Sequence, residues 1–315
     1  MRILSFSGFV PEQICDIVRF EGYHGDRNIS QYCGYADDFV SQVLYDKTID
    51  GAIFPKSCDS SRIIGSYIKN CGKYVYQLPV PARSDDLGIT YFAEILKDFQ
   101  ETLEKSFPEY QADVLNRSLL VNKRNEKIRS FYNELDQYSY FDYLEKIHKM
   151  LLLPLSEQAD VAEFKLESSK KGKRVYLIGS FLTNLNIVNI IENHGLQIVG
   201  DDLPESGRMV SAPTVSDKTD IYKSIAASIL QQRKSPTQDE MTPSIAADMK
   251  EIHDKEACGV IFVTQKFCEP YNYFYFLLHQ ELENKHIPSL QIELSDSEDV
   301  GKAELQVEAF ADLLD

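Results

Sequence analysis

Residues 50–81 read DGAIFPKSCDSSRIIGSYIKNCGKYVYQLPVP, and the fold turns on how this stretch is parsed. GAIFP is a short apolar run without polar alternation, the pattern of a strand covered on both faces. SSRIIGSYIKN has apolar residues at helical spacing, and KYVYQL returns to a β-branched and aromatic strand pattern after the turn NCGK. Strand, helix and strand in succession predict a parallel unit, with helices packed on both faces of a sheet.

The pattern extends in both directions. RILSFSG (2–8) predicts a strand, and PEQICDIVRF (11–20) a helix with Pro11 at its first position and Ile14, Ile17 and Val18 on one face. A polar loop with Gly22, Gly25 and Cys33 leads into a further helix, YADDFVSQVLY (35–45). From about residue 90 to 168 strand signals vanish, and leucines and aromatics recur at three- and four-residue steps, so this part is a helical connector. SSKKGKR (168–174) is a solvated turn. Alternation resumes with the strands RVYLIGS, LQIVGDDL, CGVIFVTQKFC and IPSLQIEL. The helices NLNIVNIIENHG, TDIYKSIAASILQQ, SIAADMKEIHDKE, YNYFYFLLHQELENKH and AELQVEAFADLL lie among them or follow them. Gly195 closes the first of these helices. The expected fold is α/β, with two flavodoxin- or Rossmann-like parallel-sheet lobes joined by a helical segment. Its divisions are an N-terminal lobe (1–90), a connector (91–170) and a C-terminal lobe (171–315).

The chain has 315 residues, 43% of them hydrophobic, enough for a sizeable core. Its formal net charge of -16 argues against general nucleic-acid binding, which needs a basic face. The start MRILSFSGFVPEQ reads as a strand rather than a signal peptide, and no run of eighteen apolar residues occurs, so a cytoplasmic, non-membrane protein is expected. Six cysteines in so long a chain read as reduced thiols or metal ligands rather than a disulfide framework.

Ligands of open α/β sheets gather at the carboxyl ends of the strands. Cys58 follows the strand AIFP, Cys268 follows GVIFVTQKF, and Cys33 lies in a glycine-flanked loop just before a helix. Position leaves two readings open for these three, small core residue or ligand. Three converging thiolates would suit an iron–sulfur cluster with one open iron better than structural zinc, which closes with four ligands. Cys15, Cys71 and Cys258 stand in a helix, a turn and a strand start, and read as structural. In GDDLPESGR (200–208), Asp201 and Asp202 are placed to accept backbone N–H groups and Arg208 to pair with them. The helix-preceding loops GFVPEQ and IGSFLTN are weak anion sites, matching no phosphate-binding motif, and the histidines lack metal spacing.

Several segments together resemble the subunits of the 2-hydroxyacyl-CoA dehydratase and benzoyl-CoA reductase family. They are FVPEQICDIVRFEGY, QYCGYADDFV, DGAIFPKSCDSSR, RVYLIGS with IIENHGLQIVGDDLPESGR, GVIFVTQKFCEPY and IPSLQIELSDSEDVGKAELQVEAF. They occur in the family's order across nearly the whole chain. The resemblance implies that Cys33, Cys58 and Cys268 ligate a 4Fe–4S cluster; Ser57, Asp59 and Ser180 are the candidate catalytic groups near the cluster or substrate. Arg62, Asp201, Asp202 and Arg208 are expected to hold the loops in place. The resemblance further implies a homologous second subunit, or a second copy of this chain, and an ATP-dependent iron–sulfur activator as electron donor. The expected activity is one-electron, ketyl-radical reduction of an acyl-CoA thioester. Two other readings fit the same resemblance: a homodimeric double-cubane-type reductase of a small non-CoA molecule, and a non-catalytic scaffold subunit paired with a catalytic homologue. The tail GKAELQVEAF keeps Gly301, Glu308, Ala309 and Phe310, but Lys302, Leu305 and Gln306 stand where the family pattern implies Gln, Thr and Arg.

Overall fold

A computed structural model describes residues 1–6, 9, 11–18, 32–160, 165–169, 171–182, 184–238, 241–294 and 301–314. The first sheet contains β1 (Ile3–Ser5), β2 (Ile17–Val18), β3 (Gly51–Pro55) and β4 (Tyr74–Leu78), all parallel, in the order β2-β1-β3-β4. The second contains β5 (Lys173–Gly179), β6 (Leu196–Asp202), β7 (Gly259–Gln265) and β8 (Ser289–Leu294), also parallel, in the order β6-β5-β7-β8. The two sheets therefore share one topology, that of the flavodoxin-like doubly wound fold. In each, the strand order reverses between the first and third strands, β1 and β3 or β5 and β7, which opens a crevice at their carboxyl ends.

Each sheet is covered on both faces, which is why β3 and β7 are buried throughout and apolar, apart from the Thr264–Gln265 pair that closes β7. On the first sheet, α1 (Gly34–Tyr45) and α2 (Asp59–Asn70) cover one face through Phe39, Val43, Ile64 and Ile68. The other face carries α3 (Asp86–Ser106), with Phe92, Leu96 and Phe99 in the core. The helices α4 (Val114–Asn133), α5 (Tyr140–Leu151) and α6 (Leu155–Asp160) follow. Ile128 and Tyr132 of α4, with Tyr143, Leu144 and Ile147 of α5, join one face of the second sheet, together with α7 (Asn186–Asn193) and α12 (Gly301–Leu313). Its opposite face holds α10 (Met241–Asp254) and α11 (Glu269–Asn284). The helical middle of the chain is thus divided between two cores.

The chain also runs back. After the short α8 (Gly207–Ser211), residues leading into α9 (Ile221–Leu230) return to the first lobe, where Val215, Ile225, Ala226 and Ile229 complete the core above α3. Asn122 of α4 fastens this return. Its Nδ2 donates to the Val215 carbonyl at 2.7 Å, and its Oδ1 accepts the Val215 N–H at 3.0 Å.

The helix expected over PEQICDIVRF does not form in its described residues: 12–14 make a turn, Cys15 a bend, and Ile17–Val18 pair with β1 as β2. The carbonyls that would accept i+4 helical bonds are occupied from outside. Arg117 of α4 donates to the Glu12 carbonyl at 3.0 and 2.7 Å and to that of Cys15 at 2.7 Å, and the Tyr110 hydroxyl donates to that of Ile14 at 2.9 Å. Tertiary partners override local propensity here. Among the described residues no helix is long and apolar enough to cross a membrane.

Candidate functional site

The crevices of the two sheets face one another. Between them lies a cleft of about 710 Å³, counting space open to solvent, lined by residues from both lobes. Phe6, Cys33, Tyr35, Ser57 and Cys58 come from the first lobe, and Ser180, Phe181, Arg208, Gln265, Cys268 and Tyr271 from the second. The Tyr35 and Phe181 rings stack across the junction, with centroids 4.7 Å apart and planes 9° apart. The wall is mostly apolar and aromatic, with few polar groups, as in small-molecule sites.

Cys33, Cys58 and Cys268 all line this cleft, and each is the N-cap of a different helix: α1, α2 and α11. Three helix N-termini therefore point their partial positive charge at one place, an arrangement that favours thiolates and anions. Cys58 sulfur accepts the Ser61 N–H at 3.5 Å, while Ser61 Oγ accepts the Cys58 N–H at 3.4 Å, closing a reciprocal cap. Ser61 also anchors the loop by donating to the Pro55 carbonyl at 2.7 Å. Burial pushes the Cys33 thiol up to about 11 and that of Cys268 up to about 12. The N–H groups of Ala36 and Tyr271, three residues on, and the Thr264 hydroxyl at Cys268 act in the opposite direction. Those two free thiols are protonated at neutral pH, and metal ligation, which takes the thiolate, displaces their protons.

Among the described residues no group of three or more His, Cys, Asp or Glu side chains is gathered as ligands of a single metal ion. A cubane cluster asks for a different arrangement, since each thiolate holds its own iron and the ligands surround the cluster instead of converging on one point. Three free cysteines around one cleft, on three helix N-termini and among aromatic walls, are a donor set that fits such a cluster. Among the described residues no fourth cysteine lines the cleft, so a cluster held by these three would have one iron without a thiolate.

Beneath the cleft the GDDLPESGR loop is built on buried carboxylates. Asp201 Oδ1 accepts the N–H groups of Leu203 at 2.9 Å and Gly207 at 2.8 Å, and its Oδ2 accepts the Ser206 hydroxyl at 2.7 Å. Burial nonetheless pushes its carboxyl up to about 6. Gly207 has to be glycine, because a Cβ there would collide with the Asp201 carbonyl oxygen. Asp202 takes a two-pronged pair from Arg208, Nε at 2.9 Å and Nη2 at 2.7 Å. Arg208 Nη1 continues to the Tyr271 hydroxyl at 2.6 Å, three residues beyond Cys268. Burial opposes the charge on Arg208, but the Asp202 carboxylate outweighs it and holds the guanidinium protonated. Arg233 lies behind, bonded to Glu251 and to the Tyr176 hydroxyl and 3.7 Å from Asp248. Burial, then the Asp202 charge, raise the Asp248 carboxyl well above the usual range.

Of the residues singled out in the sequence, Cys33, Cys58, Cys268, Ser57, Ser180 and Arg208 line the cleft, and Asp201 and Asp202 support it from below. Asp59 and Arg62 are exposed in the first turn of α2, 3.8 Å apart, and do not line it. Cys15 is buried in the first lobe's core, and Cys71 and Cys258 are exposed. Lys302, Leu305 and Gln306 are exposed on α12, away from the cleft. His24, Gly22 and Gly25 lie outside the described residues. Sequence reasoning passed over Gln265, Thr264, Tyr271 and Arg233. The polar pair TQ closing the apolar run VIFV is a usable signal for the first two, whereas nothing local distinguishes Arg233.

A family model described as 2-hydroxyglutaryl-CoA dehydratase, D-component, matches residues 4–314. The chain is 28% identical over 243 residues to one of the subunits of benzoyl-CoA reductase from Thauera aromatica, covering 70% of this chain and 63% of that protein. It is 23% identical to the (R)-phenyllactyl-CoA dehydratase beta subunit of Clostridium sporogenes, covering 84% and 75%. It is 22% identical to the beta subunit of (R)-2-hydroxyglutaryl-CoA dehydratase from Acidaminococcus fermentans, covering 90% and 82%. The first alignment spans less than two thirds of the reductase subunit's length.

Proposed function

Because the chain belongs to the family described as 2-hydroxyglutaryl-CoA dehydratase, D-component, we propose that it is the cluster-holding subunit of an enzyme acting reductively on an acyl-CoA thioester. Cys33, Cys58 and Cys268 are the residues that would hold a 4Fe–4S cluster. When bound, it supplies low-potential one-electron transfer. The observation that carries this reading is the meeting of three N-cap cysteines from both lobes on one apolar cleft. The helix N-termini favour the thiolates, and the aromatic wall of Phe6, Tyr35 and Phe181 keeps water from the reacting group. Arg208, locked by Asp202 and Tyr271, sets a fixed positive charge at the cleft. Its partners in this reading are a second subunit and an ATP-dependent iron–sulfur protein that delivers the electron. The relatives are themselves named as subunits, which supports an assembly of more than one chain.

The test is anaerobic purification with iron and sulfide analysis and EPR. We expect a brown protein whose signal is lost in Cys33→Ser, Cys58→Ser and Cys268→Ser but survives Cys71→Ser. An iron-free, colourless protein obtained without oxygen would overturn the assignment.

A further inference from the structure

Two polar side chains on the wall of this cleft have no partner among the described residues. Gln265, at the carboxyl end of β7, is 1% exposed, and neither its amide nitrogen nor its carbonyl oxygen makes a hydrogen bond. Ser180, just beyond the carboxyl end of the neighbouring β5, is 7% exposed, and its hydroxyl oxygen is likewise unbonded. Both line the same cleft as the three cysteines. Gln265 also belongs to the turn that delivers one of them, because its backbone carbonyl accepts the Cys268 N–H at 3.0 Å. Phe267, inside that turn, has φ 65°, a left-handed conformation that a bulky residue rarely adopts. Such an outlier persists only where its surroundings fix it, and this one sets Gln265 and Cys268 on one wall.

Buried polar atoms are almost always paired, so these groups lack a partner that the cleft is built to receive. Phe6, Phe9 and Phe181 bring only rings to the wall around them, and Arg208 has donors alone. A carboxamide offers an N–H₂ whichever way it is turned, and the serine hydroxyl can donate as well. What completes them must therefore accept hydrogen bonds, as the sulfurs of an iron–sulfur cluster do. We propose that Gln265 and Ser180 donate hydrogen bonds to the sulfurs of a cluster held by Cys33, Cys58 and Cys268, and so set how readily it takes up an electron. This rests on the cluster reading above. Donated bonds favour the reduced cluster, which carries more negative charge, and so raise its reduction potential. The glutamine oxygen is left to accept from a water in the cleft. Neither residue ligates iron or moves a proton in this role.

The experiment is an anaerobic, EPR-monitored redox titration of the full chain, with any chain that copurifies, in wild type, Gln265→Met and Ser180→Ala. Methionine keeps the length of glutamine and removes its donors. At a fixed potential, Gln265→Met is expected to lower the ratio of reduced to oxidised cluster about tenfold, a midpoint about 59 mV more negative. Ser180→Ala should move it less, in the same direction. The exchangeable proton couplings of the reduced cluster, identified by ENDOR from their loss in D₂O, should be fewer in each variant, which a merely structural role would not bring about. A midpoint unmoved or raised in both variants with iron and sulfide intact, or an unchanged set of couplings, overturns the inference and leaves the cluster reading standing. Iron-free wild type obtained without oxygen overturns that reading, and the inference with it. Should Gln265→Met fail to fold or to hold iron, Ser180→Ala, which removes a single oxygen, decides.

Discussion

Asp201 carries a charge that its surroundings partly refuse. Burial pushes its carboxyl up to about 6, against an ordinary value of 3.8, so the folded chain binds a proton more tightly than the unfolded chain does. The sign follows: stability is greatest below about pH 4 for this group and falls as pH rises through 6, by on the order of 3 kcal/mol. Asn at this position keeps an acceptor for the Leu203 and Gly207 amides and turns the Ser206 hydroxyl from donor to acceptor. Urea denaturation of Asp201→Asn between pH 4 and 7 should therefore show a flatter profile than wild type, with no loss at pH 8. A steeper profile would refute the account. The Asp202–Arg208 pair behaves differently, because both charges are buried and paired. Arg208→Leu leaves Asp202 with Arg233, 3.6 Å away, as its remaining cationic partner and should lower stability by about 3 kcal/mol, and the double variant Asp202→Leu/Arg208→Leu should recover part of it. Simple addition of the two single losses would argue against a coupled pair.

At the level of elements, the N-terminal segment shows how one distant residue decides a local structure. Arg117 holds the carbonyls of Glu12 and Cys15 and pairs with Asp16 at 2.6 Å. Arg117→Ala should cost about 2–3 kcal/mol, with faster amide exchange at Ile17 and Val18 before any other strand, measured by hydrogen–deuterium exchange. Unchanged protection there would show that β2 does not depend on this clamp. Elsewhere local pattern and tertiary environment agree. β3, β5, β6, β7 and β8 are legible in the sequence because they are largely apolar runs, and α2 and α11 because capping and apolar spacing coincide. The segment 11–18 is not, because its Pro11, Ile14 and Ile17 pattern suits a helix while its partners lie about a hundred residues away. For the site, strand-end position leaves each cysteine ambiguous, and only family resemblance joins Cys33, Cys58 and Cys268 into a set. Gln265 and Arg233 stay hidden because their surroundings are built from segments far apart in sequence.

For the molecule as a whole, the two sheets are not independent bodies. α4 and α5 close the second sheet's core from an earlier part of the chain, and α9 closes the first sheet's core from a later one. A fragment covering 171–315 would lack Tyr132, Tyr140, Tyr143 and Ile147 and would bare the apolar side of α9. It is expected to show no cooperative thermal transition, whereas the full chain melts in a single step by circular dichroism. A well-ordered fragment with dispersed amide resonances would contradict this. The return of α9 also bears on synthesis. The first lobe's helices through α3 leave the ribosome more than a hundred residues before α9 does. At ~5–20 residues per second, that lobe waits on the order of ten seconds with one wall of its core uncovered. Cys268 emerges later still, so the three thiols can meet only when translation is almost finished. The nascent chain thus exposes apolar surface longest while its future site is open and incomplete, the interval in which a chaperone would be most needed.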